Sequence, residues 1–271
     1  MHSLRPHRLL IVTLAVLVLV ILVRVPAFAQ GGDRLTPLQR RIEQQKQRLG
    51  SSAVEERRDA LMRLGAMKHP EASRTAAAAL NDPEAIIRVT AAHAITSLPP
   101  AEALGLLPPL LRDKLEFVRR EVASAMGETR NRSAVQSLGD LLTFEKEPSV
   151  RAAAVMALGE IRDESAAPVL IQVLSGVSSD KKSKAREDEF VMRVAAQALG
   201  LIRSRTGVAV LIATLTNETA SLDVRRAAAQ SLGLIADPSA TPALQAALAS
   251  SDPYLSEAAR EALRRLRVAK N

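Results

Sequence analysis

Residues 150–159 read VRAAAVMALG and residues 224–233 read VRRAAAQSLG. With the last position of that phrase as a frame residue, the pattern recurs at Gly65, Thr96, Gly127, Gly159, Gly200, Gly233 and Arg264, at spacings of 31, 31, 32, 41, 33 and 31 residues. One residue before each frame residue stand Leu64, Ile95, Met126, Leu158, Leu199, Leu232 and Leu263, and five before stand Ala60, Ala91, Val122, Ala154, Ala195, Ala228 and Ala259. Nine before stand Glu56, Ile87, Val118, Val150, Val191, Val224 and Leu255, so only the first copy breaks the set. Apolar residues four apart line one face of an α-helix.

A second helix follows in each unit. Fifteen residues after the frame residue come Leu80, Leu111, Leu142, Leu174, Leu215 and Leu248; eleven after come Ala76, Leu107, Leu138, Leu170, Leu211 and Leu244. Pro168 and Pro242 fall early in that helix, where a missing N–H has no intrahelical partner to lose. The frame glycine is expected to end the first helix in a left-handed conformation, and Asp82-Pro83, Glu147-Pro148 and Asp252-Pro253 mark the turn into the next unit. A helix pair of this length buries one face only, so the units must stack. The fold class is therefore all-α, an α-solenoid of about seven units.

Composition agrees. The 271 residues are 47% hydrophobic yet hold four Phe, one Tyr and no Trp, so the core is built from Ala, Leu, Val and Ile. Small side chains packed closely suit helices better than sheets, which favour the aromatic residues scarce here. With no Cys, a disulfide framework, a Cys zinc site, an iron–sulfur cluster and a cysteine nucleophile are excluded.

The repeated phrases, among them Ile87-Arg88, Val118-Arg119, Val150-Arg151 to Asp163, and Val224-Arg225 to Asp237, resemble the HEAT repeat family, in particular the short HEAT-like repeats of the phycobilin-lyase type. The resemblance spans about residues 52–267. It implies a right-handed superhelix whose Val-Arg helices line the concave side, and a protein-binding role, since only some members are enzymes.

Residues 1–29, MHSLRPHRLLIVTLAVLVLVILVRVPAFA, read as an export signal: Arg5 and Arg8 precede an apolar run from Leu9 to Val23, and Ala27 and Ala29 suit a peptidase cutting after Ala29. Fifteen apolar residues are short for a membrane span of roughly 20; Arg24 argues the other way, for an uncleaved anchor. Either reading exports the chain to a periplasm or cell envelope, with membrane contact only through residues 1–29 if uncleaved. Residues 30–50 are expected to form a capping helix, from Thr36-Pro37 with Leu38, Ile42 and Leu49 on one face, and residues 51–271 the array, interrupted near 175–189 by the charged insertion SGVSSDKKSKAREDE. Cleavage would leave 34 basic and 29 acidic residues, a mild excess that falls short of a nucleic-acid surface. The lack of stacking aromatics points the same way.

Ligands for site chemistry are sparse. His69 and His93 have no spaced partner, and no phosphate loop, nucleophile elbow or metalloprotease helix occurs. No cofactor, metal or catalytic residue is expected. Eight residues before the frame positions stand Arg57, Arg88, Arg119, Arg151, Met192, Arg225 and Ser256, five of seven being Arg; the resemblance implies a structural ladder in which such arginines pair with an acid or carbonyl in the neighbouring turn, as Asp82, six before Arg88, and Asp113, six before Arg119, would allow. Arg58, Arg120, Arg193 and Arg226, one step further on, are the candidate partner-binding residues, together with Lys181, Lys182, Lys184 and Arg186 of the insertion. The expected function is a scaffold, adaptor or assembly factor of the bacterial cell envelope that binds a protein of unknown identity through its concave face. The alternative is a lyase-like enzyme subunit or cofactor-presenting chaperone.

Overall fold

The computed structural model describes residues 35–176 and 188–268, and every regular element among them is helical. The expected export signal, and Lys181, Lys182, Lys184 and Arg186, lie outside the described residues. Helix α1 (Pro37–Leu49) is followed by α2 (Val54–Ala66), α3 (Pro70–Ala77), α4 (Ala85–Ala94), α5 (Pro100–Leu106), α6 (Glu116–Glu128), α7 (Ala134–Phe144), α8 (Pro148–Ile161), α9 (Ala167–Leu174), α10 (Glu189–Ile202), α11 (Val208–Thr216), α12 (Leu222–Ile235), α13 (Thr241–Ala247) and α14 (Pro253–Val268). Among the described residues no helix is long and apolar enough to cross a membrane.

The chain divides after Arg41 into two compact units. In the first, the described residues begin α1 with a reciprocal cap: Gln39 N donates to Thr36 Oγ1 at 3.2 Å and Thr36 N donates to Gln39 Oε1 at 3.0 Å. In the second, Ile42 and Gln45 are buried and Arg48 pairs with Asp59 of α2 at 2.6 Å.

From α2 onward the even-numbered helices pack each on the next, forming one continuous layer, whereas the odd-numbered helices meet one another sparingly. This continuous layer is made of the Val-Arg helices, which the family resemblance puts on the concave side; they are called the inner helices below. The residues one and five before the frame positions are fully shielded throughout the interior of the array, as are all six at the eleven-after position. Two departures occur at the end of the series: Leu263 is half-buried and Leu248 is 39% exposed, with no further second helix stacked over them among the described residues.

The glycine expectation is corrected. Gly65, Gly127, Gly159, Gly200 and Gly233 lie inside their helices, and the left-handed residue stands three positions later, at Lys68 (φ 47°), Arg130 (48°), Arg162 (56°), Arg203 (58°) and Ala236 (59°). What the frame position needs is the absence of a side chain. A Cβ on Gly200 would come 2.6 Å from Ser231 Oγ and 2.9 Å from its Cα, and one on Gly233 would come 2.7 Å from Ala262 Cα. In each case the neighbour lies two residues before the next frame residue. The contact therefore repeats at one height along the array, and successive inner helices run parallel. Thr96 breaks the series, and there α4 ends at Ala94, with Thr96 Oγ1 donating to the His93 carbonyl at 2.9 Å.

Candidate functional site

The amino-terminal ends of the inner helices are tied together by arginine. Arg57 donates to Asp82 through Nε (2.9 Å) and Nη2 (3.1 Å), Arg88 to Asp113 (2.8 and 3.1 Å), and Arg119 to Glu145 (2.6 and 3.1 Å). Nη1 of each turns back to its own unit, to the Ser51, Asp82 and Asp113 carbonyls at 3.0, 2.8 and 2.9 Å. Each guanidinium thus spends both edges, one on the following unit and one on its own turn. The expected pairing is corrected in one respect: Asp82 gives Arg88 its carbonyl and gives its carboxylate to Arg57, and Asp113 does the same for Arg119 and Arg88. The acid comes from the following unit because the inner helices are stacked in parallel with their starts side by side.

Burial pushes the Glu145 carboxyl upward, but donation from Arg119 and from the Glu147 and Lys146 amides outweighs it and holds the group below its ordinary range; Asp113 is held low against burial by Arg88 and the Leu115 amide. Arg151 reaches the Leu142 and Glu145 carbonyls at 2.7 and 3.2 Å, and Arg225 reaches the Leu215 carbonyl at 2.9 Å. In that unit Arg226 takes the acid, binding Asp252 at 3.1 and 3.2 Å and Asp223 at 2.6 Å. Arg226, expected at a partner surface, thus also joins two units as the ladder arginines do. Arg58 lies 3.7 Å from Glu55, and Arg120 holds Glu121 at 2.9 Å. Arg193 makes no ion pair among the described residues.

Aromatic residues complete this edge. Arg120 lies over Phe117 at 5.4 Å, Arg193 over Phe190 at 4.8 Å and Arg226 over Tyr254 at 5.4 Å, each from guanidinium carbon to ring centroid. Phe117, Phe190 and Tyr254 all stand ten residues before a frame residue, and the fourth described aromatic, Phe144, lies under Arg112 at 4.6 Å. None belongs to the buried core; Phe190 is 47% and Tyr254 72% exposed. Sequence reasoning counted the aromatics as scarce and missed their register, although the ten-residue offset was there to be read.

Between the starts of α10 and α12 a cleft of about 380 Å³ is lined by Glu189, Phe190, Arg193, Ser221 and Asp223. Ser221 Oγ is, among the described residues, the buried side-chain polar atom without a hydrogen-bond partner. The histidines lie elsewhere. His69 caps α3, accepting from the Glu71 amide at 3.3 Å. His93, which has no metal-ligand spacing in the sequence, stands between two carboxylates of α6: Nδ1 is 3.0 Å from Glu128 Oε1 and Nε2 is 3.4 Å from Glu121 Oε2. Hydrogen bonding to Glu128 raises its pKa above the ordinary histidine value against the opposing effect of burial, with Glu121 adding to the rise.

A family model described as HEAT repeats matches residues 105–187 and 182–264. No curated protein matches the sequence. Solved structures with similar folds include a Kap121p mutant, 14% identical, covering 86% of this chain and 30% of that chain at a TM-score of 0.51. An engineered protein is 20% identical over 83% of this chain and 68% of its own, at 0.50. The complex of CpcE and CpcF of phycocyanin lyase from Nostoc sp. PCC7120 is 22% identical over 90% and 91%, at 0.48. At these identities the likeness is one of fold.

Proposed function

The chain belongs to the HEAT repeat family, and from that premise we propose that it is a non-enzymatic scaffold, adaptor or assembly factor of the bacterial cell envelope that binds a partner protein along its inner face. The observation that carries the reading is the Arg–aromatic row at Phe117/Arg120, Phe190/Arg193 and Arg226/Tyr254. A globular chain with so few rings would gain most by burying them; here the described ones are kept at the surface, each under a guanidinium. Arginine and aromatic side chains dominate the energetics of protein interfaces, and a stacked pair is held in place before the partner arrives, which lowers the ordering cost of binding. The ladder beneath keeps the row rigid. Residues 1–29 support export, by their basic start, apolar run and small residues near Ala29.

Crosslinking in the native host, followed by capture through a carboxyl-terminal tag, tests both parts. The parent chain should recover one recurrent envelope protein, with peptides beginning at Gln30. The combined variant Arg58→Glu, Arg120→Glu, Arg193→Glu should lose that protein, as should Phe190→Ala with Tyr254→Ala, each without a fall in melting temperature. Arg226 is left intact because its reversal would break the bond to Asp252. Equal recovery by these variants removes the inner-face reading; cytoplasmic partners with residues 1–29 intact remove the envelope reading.

A further inference from the structure

The opposite edge of the inner layer carries a second regular feature. Four of the five left-handed residues that close the inner helices are bases: Lys68, Arg130, Arg162 and Arg203. The left-handed conformation is nearly free for glycine and disfavoured for any residue with a Cβ. A cation near a helix carboxyl terminus gains from the helix dipole, but any position in the last turn supplies that gain without backbone strain. The dipole therefore does not explain why the base stands at the one strained position, repeatedly. All four are exposed, and among the described residues none makes an ion pair or a side-chain hydrogen bond. This is the reverse of the amino-terminal edge, where Arg57, Arg88, Arg119 and Arg226 are each engaged with a carboxylate.

Three acids of the turns on this edge are occupied, whereas Glu160, exposed near the end of α8, makes no ion pair among the described residues. Asp163 accepts from the Ser165 amide at 2.9 Å and from its hydroxyl, Glu164 accepts from the Ser204 and Thr206 hydroxyls of the next unit at 2.8 and 2.9 Å, and Asp237 accepts from the Ser239 amide at 2.9 Å. Arg132 and Arg205 add further exposed cations beside the row, Arg132 being 3.7 Å from Asp163.

We propose that Arg130, Arg162 and Arg203, in three consecutive units, form a rail that binds an extended acidic segment of a partner protein with one carboxylate per unit. Helices in direct contact lie about 8–10 Å apart. A polyproline-II segment advances about 3.1 Å per residue and returns to the same face every third residue, about 9 Å on. Acids spaced by three along such a segment therefore meet successive guanidinium forks, each able to bind a carboxylate with two hydrogen bonds. The rail lies at the opposite end of the inner helices from the Arg–aromatic row and shares with the proposed function only the premise of a protein partner, so either can fail alone.

Dye-labelled acetyl-(Glu-Pro-Pro)4-amide, titrated with the full chain and followed by fluorescence anisotropy at low salt, tests the rail. Binding is expected to be at least tenfold tighter than to (Gln-Pro-Pro)4, and severalfold tighter than to a peptide of the same composition with its four glutamates contiguous. It should weaken steeply as salt is raised. The variant Arg130→Gly, Arg162→Gly, Arg203→Gly should lose at least tenfold in affinity while its melting temperature holds or rises, since glycine relieves the left-handed backbone; loss of folding thus cannot imitate the result. Arg40→Gln, an exposed charge removed from α1, should bind the probe like the parent. Equal binding of the glycine variant, or of the contiguous-glutamate peptide, overturns the rail. Sedimentation of the parent with phosphatidylglycerol vesicles and no binding of (Glu-Pro-Pro)4 also overturns it, in favour of a membrane surface.

Discussion

Arg119 of the third unit donates to Glu145 at the start of the fourth, 2.6 Å from Nε to Oε2 and 3.1 Å from Nη2 to Oε1, while its Nη1 holds the Asp113 carbonyl at 2.9 Å. The Glu145 side chain is 4% exposed. Arg119→Ala leaves a carboxylate buried without its cation, the costly half of a buried pair, and should destabilise by about 3 kcal/mol. The double variant Arg119→Ala, Glu145→Gln should recover a measurable part of that loss. Urea unfolding of the two single variants and the double variant gives the coupling directly; simple additivity would mean that the ladder does not join units.

A side chain at the frame position has the opposite fault. Gly233→Ala places a methyl 2.7 Å from Ala262 Cα, backbone that cannot rotate aside, so α12 and α14 must separate. Overpacking of this kind costs about 1–3 kcal/mol. Gly105 of α5 has nothing within 4 Å of its added Cβ, and Gly105→Ala should instead gain about 0.5–1 kcal/mol, as for any exposed helical glycine. Chemical denaturation of both variants tests the pair; a destabilised Gly105→Ala would show that backbone entropy is not what separates them.

The frame itself was readable because the buried positions recur at fixed offsets and tolerate few residue types: six leucines fifteen residues after the frame residue leave little choice of reading. The role of the frame glycine was not, because a glycine near a helix end serves either as a left-handed cap or as a point of close approach, and only the neighbour at Ser231 or Ala262 decides between them. The ladder failed in a similar way. Asp82 and Asp113 were identified, but partners 25 residues ahead of Arg57 and Arg88 became visible only once the inner helices stood side by side. Arg226 changed role with its neighbour Arg225 because Arg225 Nε lies against the Leu215 carbonyl, leaving Asp252 to Arg226.

Two leucines at repeated positions should behave differently for reasons of place. Leu199 is fully shielded between units, and Leu199→Ala should cost about 2–5 kcal/mol, with Leu199→Asp preventing folding. Leu248, 39% exposed on the last helix pair, should cost less than about 1 kcal/mol as Leu248→Ala. Thermal melts of the two alanine variants decide it; equal losses would mean that the last pair is covered in solution.

His93 gives the array a dependence on pH at the junction that lacks a frame glycine. Both ring nitrogens face carboxylates of α6, Glu128 at 3.0 Å and Glu121 at 3.4 Å, and Glu121 also holds Arg120. A neutral imidazole has one N–H and would turn a lone pair toward one of the acids; the imidazolium donates to both. The raised pKa means that the folded state binds the proton more tightly than the unfolded chain. The added stability is complete below the ordinary histidine pKa of about 6.5 and is lost as pH rises through the higher folded value. With the pair partly exposed, the gain is at most about 1 kcal/mol. The parent should therefore melt above His93→Gln at pH 5.5, with the two curves converging by pH 8.5. An NMR titration should place the His93 pKa above the ordinary histidine value. A constant gap between the melting curves across that range would show that His93 contributes by packing rather than by charge.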